Sequence, residues 1–223
     1  MRTILTLVLA AAVAVLVSAA YNSFFAERTD AQLNVSASVA AHAADTVSNP
    51  EIDREDRILG DENAKVTILE YSSLTCPHCA QFHAEGYRHL KSTYIDTGKV
   101  RLVFRDFPLD ELALRAAALA ECVPPGRYFP FLQLLFEGQG SWARTDQPLV
   151  ELVRLGQLAG LGQDRAAECL QAEPGLEKII KERLVGQETY QIDSTPSFII
   201  DGRKYPGILT ADELDEILAP LLG

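Results

Sequence analysis

One short segment constrains the fold of this chain more than any other, because it joins an apolar strand to a helix that begins at a pair of cysteines. Residues 66–71 (VTILEY) are mostly apolar or β-branched and predict a buried strand. A short Ser/Thr loop follows, and from Cys79 onward apolar residues recur every three or four positions, which is typical of one helix face. Cys76 and Cys79 are therefore predicted to lie where the strand ends and the helix begins.

The residues after this helix extend the pattern to an α/β architecture. Residues 100–107 predict a second strand, so the first elements are β-α-β, with two parallel strands joined by a crossover helix. Residues 110–192 carry apolar positions at helical spacing without a strand-like run, which predicts an all-helical insertion. Residues 197–200 predict a short strand, residues 201–202 a hairpin turn, and the C-terminal residues a last helix. The folded part is predicted to divide into three pieces, the outer two of which form one domain: 52–109, 110–192 and 193–223.

The N-terminus is predicted to direct the chain out of the cytoplasm. Residues 1–20 read as a secretory signal peptide, with Arg2 as the only charged side chain and small residues at 18–20 for cleavage. The apolar run 4–20 is also at the short edge of what spans a bilayer, about 17–25 residues, so an uncleaved inner-membrane anchor facing the periplasm is the alternative. Residues 21–51 are rich in Ala, Ser, Asn and Thr and are predicted to be a flexible linker.

The composition excludes several classes of protein. Hydrophobic residues make up 48% and charged residues 23%, which is ordinary for a globular protein and excludes a mainly disordered or fibrous one. The net charge of −11 would repel phosphate backbones, so nucleic acid is not an expected partner. Four cysteines are too few for a small protein built on disulfides.

A cysteine at the N-terminus of a helix has an acidified thiol, because unpaired N–H groups and the helix dipole stabilise the thiolate. Cys76 occupies this position, and Pro77 suits the first helical turn because its missing N–H would have no partner there. His78 adds a polar or cationic neighbour to the sulfur. Stabilising the reduced form makes the Cys76–Cys79 disulfide a better oxidant, so the CPHC motif predicts redox chemistry that needs no bound cofactor.

Metal binding is the competing interpretation of a C-x-x-C motif. Structural zinc needs a second pair of ligands at similar spacing, whereas Cys122 and Cys169 are single. No metal is therefore predicted at the site. A non-catalytic periplasmic metal carrier that uses Cys76, Cys79 and His78 is the alternative from a different class.

Glu70 lies six residues before Cys76, inside the apolar strand. Burying a carboxylate is costly unless it is partnered or its ionisation is shifted. Two interpretations stay open: a carboxylate at the strand end that reaches solvent, or a buried proton acceptor for Cys79 during thiol exchange, which requires a thiolate.

Three segments together resemble the DsbA-like branch of the thioredoxin superfamily of thiol–disulfide oxidoreductases. They are VTILEYSSLTCPHC at 66–79, RDFPL at 105–109 and STPSFIIDG at 194–202, and the resemblance extends over residues 52–222. It implies a thioredoxin fold with an inserted helical domain, in agreement with the pattern of strands and helices.

The resemblance also implies a role for each residue of the site. Cys76 is the attacking, solvent-facing cysteine, Cys79 is the resolving cysteine and Glu70 occupies the buried acidic position. Thr195 and Pro196 match the cis-proline loop that pairs with extended substrate backbone, although a trans bond is the default from sequence alone.

The Pro-His dipeptide between the cysteines is associated with strongly oxidising members of the family. Thr195 departs from the Val found there in many enteric oxidases and occurs also in isomerases. Such isomerases carry an N-terminal dimerisation domain, for which residues 21–49 are too short. A monomeric protein-thiol oxidase is therefore expected, with a disulfide isomerase or reductase as the alternative.

Four cysteines allow three pairings. If Cys76 pairs with Cys79, only Cys122 and Cys169 are left, on two predicted helices of the insertion. Some DsbA-like proteins have a second disulfide in the helical domain, which favours a structural bridge here, stabilising by about 4 kcal/mol in the chain-entropy model. Two free buried thiols are the alternative.

Partners follow from the resemblance alone. It implies that the protein oxidises the thiols of unfolded secreted or membrane-exposed proteins in the periplasm. It also implies that a membrane quinone-linked enzyme restores the active-site disulfide.

Overall fold

The computed structural model of the chain describes residues 45–223. The signal peptide or anchor predicted at residues 1–20, and residues 21–44 of the predicted linker, lie outside the described residues. Within residues 45–223, no helix combines the length and the apolar character needed to cross a membrane.

The described residues form one six-stranded mixed sheet with helices on both sides. The strands, in chain order, are β1 Asp45–Thr46, β2 Arg57–Leu59, β3 Val66–Ser72, β4 Val100–Asp106, β5 Ser197–Ile200 and β6 Arg203–Pro206. Their order across the sheet is β1-β6-β5-β3-β4-β2. β3 and β4 are parallel, and β5 runs antiparallel to β3 on its other side. The central position of β3 explains its apolar sequence, because both faces of this strand are covered.

Helices connect the strands as the periodicity predicts. They are α1 Pro77–Ala84, α2 Gly86–Leu90, α3 Glu111–Cys122, α4 Tyr128–Glu137, α5 Gln139–Trp142, α6 Pro148–Leu158, α7 Gln163–Cys169, α8 Glu173–Thr189 and α9 Ala211–Leu222. α1 and α2 form the crossover between β3 and β4, whereas α3 to α8 lie between β4 and β5. The α/β fold class with a helical insertion is thereby confirmed.

The crossover helix is interrupted rather than continuous. Gly86 begins α2 directly after Glu85, which is not helical, and a π-helical turn at Lys91–Ile95 extends α2. A β-carbon at position 86 would collide with the carbonyl oxygen of Leu209. Glycine is therefore required here by the close approach of the segment that leads into α9.

The two faces of the sheet bury separate clusters of side chains. On one face, Ile68 packs with Phe82 of α1 and Leu214 of α9. On the other face, Leu69 and Tyr71 pack in a second cluster. Because side chains alternate along a strand, neighbouring residues of β3 serve opposite faces.

The insertion forms a third cluster, and this one includes the two cysteines of the CPHC motif. Cys76 and Cys79 pack with Phe136 of α4 and with the alanine-rich face of α3. The motif therefore lies between the sheet and the insertion.

The N-terminal boundary of the folded part differs from the prediction. The predicted linker runs to residue 51, but β1 pairs with β6, and the backbone N–H of Val47 donates to the carbonyl of Gly202 at 2.8 Å. The side chain of Arg105 also donates to the carbonyl of Glu51 at 2.7 Å. These contacts use backbone groups, so the polar composition of the segment carries no sign of them. The edge strand β2 has only three residues, which are too few for hydrophobic alternation to indicate it.

Candidate active site

Cys76 is the N-cap residue of α1, and Pro77 is the first residue of this helix. The Cys76 side chain makes no capping hydrogen bond, and its backbone is extended, with φ −78° and ψ 121°. The sulfur thus lies at the N-terminus of a helix without being used to cap it. The resemblance implies a solvent-facing Cys76, but this side chain is only 5% exposed, because it packs in the cluster that the insertion forms around Phe136.

The pKa of the Cys76 thiol is lowered from 9.0 to about 5. The largest cause is a hydrogen bond from Cys79, and burial acts in the opposite direction. The side chain of Thr195 and the backbone N–H groups of Cys79 and His78 lower the pKa further. Hydrogen-bond donors directed at the sulfur therefore outweigh the desolvation of a side chain that is only 5% exposed.

The pKa of the Cys79 thiol shifts in the opposite direction. Its side chain is fully buried, and burial is the largest cause that raises its pKa well above the ordinary value, followed by its hydrogen bond to Cys76 and the charge there. The backbone N–H of Ser73 donates to its sulfur at 3.5 Å. Both cysteines are free thiols in the structure. One sulfur is stabilised as an anion, whereas its neighbour holds its proton.

The contribution of His78 differs from the one predicted from sequence. Its side chain is exposed, and the group of His78 that lowers the Cys76 pKa is the backbone N–H. This contribution comes from the position of the residue in the first turn of the helix.

The Thr195–Pro196 peptide bond is cis, as the resemblance implies, whereas the sequence alone favours a trans bond. The carbonyl oxygen of Thr195 lies 3.3 Å from the sulfur of Cys76, which donates to it as a thiol. The two residues are 119 positions apart, and the antiparallel pairing of β5 with β3 brings them together. This loop forms the side of the site opposite the helix.

Glu70 is fully buried in β3, which excludes the interpretation that its carboxylate reaches solvent. One carboxylate oxygen, Oε1, lies 2.9 Å from Nε2 of His83. The other, Oε2, is buried without a hydrogen-bond partner within the described part of the chain. A buried oxygen without a partner is available to take a proton.

His83 also belongs to the site, although the sequence analysis assigns it no role. Its ring stacks on Phe136 with centroids 3.9 Å apart and on Tyr87 at 4.8 Å. Its Nδ1 lies 3.3 Å from the side-chain oxygen of Gln133. One signal could have indicated it: His83 follows Cys79 by one helical turn and therefore lies on the same buried face of α1.

The insertion also holds the loop that leads into Cys76. The hydroxyl of Thr75 donates to Asp110 at 2.7 Å, and the other oxygen of this carboxylate caps α3 by accepting from the N–H of Ala113. The N–H of Leu109 donates to the hydroxyl of Ser73. The RDFPL segment therefore ends in direct contact with the active-site loop.

Cys122 and Cys169 form a disulfide with their Cα atoms 6.1 Å apart. The bond joins the C-terminal end of α3 to the C-terminal end of α7, within the insertion. Within residues 45–223, no cluster of three or more His, Cys, Asp or Glu side chains has the arrangement of a metal site.

Comparison with known proteins gives consistent results. A family model described as thioredoxin matches residues 53–219. A relative from Rickettsia typhi, named as a protein-disulfide oxidoreductase, is 33% identical over 153 residues, which cover 68% of this chain. The chain spans 57% of the length of that relative. Disulfide bond formation protein D of Bacillus subtilis is 26% identical over 182 residues, which cover 78% of this chain and 80% of that protein.

Among solved structures, the crystal structure of Wolbachia pipientis α-DsbA1 superposes with a TM-score of 0.73 and 31% identity. The match covers 77% of this chain and 93% of that one. The oxidised form of BdbD from Bacillus subtilis has a TM-score of 0.71 at 23% identity, over 80% of this chain and 98% of that one, and supports the fold alone.

Proposed function

Because the chain belongs to the DsbA-like thiol–disulfide oxidoreductases of the thioredoxin superfamily, we propose that it is a protein-thiol oxidase that donates a Cys76–Cys79 disulfide to client proteins. The observation that carries this proposal is the opposite shift of the two thiol pKa values, with that of Cys76 lowered to about 5 and that of Cys79 raised. A stabilised Cys76 thiolate favours the reduced enzyme, and a disulfide whose reduced form is stable is a strong oxidant.

The reaction begins when a client thiolate attacks the sulfur of Cys76. A bond forms between the client sulfur and Cys76, and the Cys76–Cys79 bond breaks, releasing Cys79 as a thiolate that takes up a proton. A second client thiolate then attacks the client sulfur of this mixed disulfide, and Cys76 leaves as a thiolate. Two electrons pass from the client dithiol to the enzyme. The low pKa of Cys76 makes it a good leaving group in the second step.

Glu70 is the proposed proton acceptor for Cys79 when this buried thiol must attack a mixed disulfide on Cys76, the step that re-forms the Cys76–Cys79 bond. The support is the burial of the carboxylate, its contact with His83 and the oxygen Oε2 that has no partner in the described chain. In this proposal, His83 holds the carboxylate in place through Oε1 and leaves Oε2 to exchange the proton.

Client binding is proposed for the loop at Thr195 and Pro196, where extended client backbone would lie beside Cys76. The proposed clients are thiols of unfolded secreted or membrane-exposed proteins in the periplasm. The proposed route to that compartment is the N-terminal signal peptide, or an inner-membrane anchor in its place. A membrane quinone-linked enzyme is proposed to restore the Cys76–Cys79 disulfide. The protein is proposed to act as a monomer.

The reduction potential of the Cys76–Cys79 pair is the decisive measurement. Equilibration with glutathione is expected to give a value far more oxidising than the roughly −270 mV of thioredoxin. The protein is also expected to oxidise a dithiol peptide, and Cys76→Ala is expected to abolish this activity.

A potential near that of thioredoxin would instead favour the reductase alternative. Efficient reshuffling of a scrambled substrate would favour the isomerase, for which Thr195 is the supporting residue. Stoichiometric metal in the purified protein without exchange activity would favour the metal carrier.

A further inference from the structure

A buried amide from the insertion contacts the active-site loop at two points. Gln139, the first residue of α5, is 7% exposed. Its side-chain nitrogen donates to the carbonyl oxygens of Leu74 and Cys76, each at 2.9 Å. These carbonyls belong to the loop between β3 and α1, more than 60 residues away in the chain. Both donor hydrogens of one amide are thus directed at the segment that carries the reacting sulfur.

We propose that Gln139 is a positioning residue for the Cys76 thiol, which it keeps in the orientation where the N–H groups at the start of α1 face the sulfur. This inference rests on the proposed thiol-exchange function and assigns to the insertion a direct part in it.

The physical need for such a residue comes from the way α1 begins. An ordinary N-cap side chain would anchor the first turn, but Cys76 makes no capping hydrogen bond, and Pro77 has no N–H to offer. The Cys76 carbonyl accepts from the N–H of Ala80 at 3.2 Å, and Gln139 adds a second hydrogen bond to the same oxygen. The helix start is therefore anchored from outside, which leaves the sulfur free.

Charge provides a second reason. Each carbonyl oxygen carries partial negative charge, and both oxygens lie in the same loop as a sulfur that must be an anion. The N–H groups of Gln139 offset this charge in a buried setting where electrostatic effects are strong. Loss of the amide would both loosen the loop and leave the two oxygens without these donors.

The test uses two substitutions of similar size. Gln139→Met removes both donors and is expected to raise the Cys76 thiolate pKa by about one unit, a tenfold change in ionisation. The potential of the Cys76–Cys79 pair should fall by roughly 30 mV as a result. Gln139→Glu is expected to have a larger effect in the same direction, because an ionised carboxylate repels the two carbonyls and the thiolate. Thiolate absorbance against pH and glutathione equilibration give the two readouts.

Trp142→Phe is the matched control. Trp142 lies on the same short helix and donates a buried hydrogen bond to the carbonyl of Leu135 at 2.7 Å. Loss of this hydrogen bond in Trp142→Phe is expected to lower the free energy of unfolding, as is the loss of the Gln139 amide. Unlike the Gln139 variants, Trp142→Phe is expected to leave the Cys76 thiolate pKa unchanged. The proposal is overturned if Gln139→Met moves this pKa no further than Trp142→Phe.

Should the Met and Glu variants fail to fold, Gln139→Asn provides the same test. It keeps the amide but withdraws it by one methylene, and it is expected to raise the thiolate pKa by a smaller amount. An unchanged pKa in a folded Asn variant would overturn the proposal. Because the titration needs no client, a wild-type protein that fails to oxidise clients refutes the proposed function without deciding the role of Gln139.

Discussion

Ionisable groups are buried in two regions: the active site at the start of α1, and the joint between the insertion and the sheet. Their pKa values shift in opposite directions. We call the second group the joint cluster; it consists of Arg57, Asp106, Glu121, Lys178 and Glu182. In the active site, hydrogen-bond donors lower the pKa of Cys76 to about 5 despite its burial. In the joint cluster, burial raises the pKa of Glu182 to about 7 and that of Asp106 well above its ordinary value.

The difference lies in the number of donors that face each acid. Glu182 accepts from the backbone N–H of Asp106 at 3.0 Å and lies 3.4 Å from Lys178, which also contacts Glu121 at 2.9 Å. One lysine shared between two carboxylates does not offset the desolvation of Glu182. Cys76 instead has several donors directed at one sulfur. Burial raises the pKa of both acids, and the donors directed at Cys76 more than reverse its effect there.

Removing the disulfide beside the joint cluster tests whether that region contributes to the free energy of unfolding. Cys122 follows Glu121 at the end of α3, and the bond to Cys169 closes a 47-residue separation. Replacing both cysteines with Ala is expected to lower the free energy of unfolding by about 4 kcal/mol, because the unfolded chain loses its crosslink. Urea unfolding measures the loss, with the reduced wild-type protein as control. A loss below about 1 kcal/mol would contradict a structural role for the bond.

Glu70→Gln tests whether the active site depends on proton transfer. The variant keeps the shape of the side chain but cannot accept the proton of Cys79. Attack of Cys79 on a mixed disulfide is expected to slow by about 100-fold at neutral pH, with the difference shrinking at high pH, where solvent base deprotonates the thiol. Stopped-flow measurement of mixed-disulfide resolution checks this rate.

The matched control is Glu85→Gln, which changes an exposed carboxylate at the end of α1. It is expected to leave the rate of resolution unchanged. Equal rates for the two variants would remove Glu70 from the mechanism.

Glu182→Gln tests the joint cluster through the pH dependence of stability. The pKa of Glu182 is raised in the folded protein from 4.5 to about 7, so between these values the folded state binds more protons than the unfolded state. The free energy of unfolding of the wild type is therefore expected to fall as the pH rises through this window, by about 1–3 kcal/mol. Asp106 contributes in the same direction.

The Gln variant is expected to flatten this dependence, since an uncharged amide replaces the acid. Glu177→Gln, at an exposed position on α8, is the control and should keep the wild-type slope. Urea unfolding at several pH values provides the comparison. A wild-type stability that rises across the window would show that Glu182 does not ionise as described.

Local sequence determined where the chemistry lies and the type of each major element. Apolar spacing places β3 before Cys76 and α1 after it, and the long helical periodicity marks the insertion, because these patterns depend on residues close together in the chain. Resemblance to known proteins added the cis bond at Pro196 and the expectation of a disulfide between Cys122 and Cys169, both present in the structure.

Tertiary structure alone decided which polar groups meet. The contact of Glu70 with His83, the two hydrogen bonds from Gln139 and the pairing of β1 with β6 depend on how separate elements pack, and each joins residues that no local period relates. The spacing of apolar residues along the chain predicts which of them are buried, whereas a hydrogen bond between distant segments needs only one donor and one acceptor. Such single contacts leave no repeating signal in a sequence.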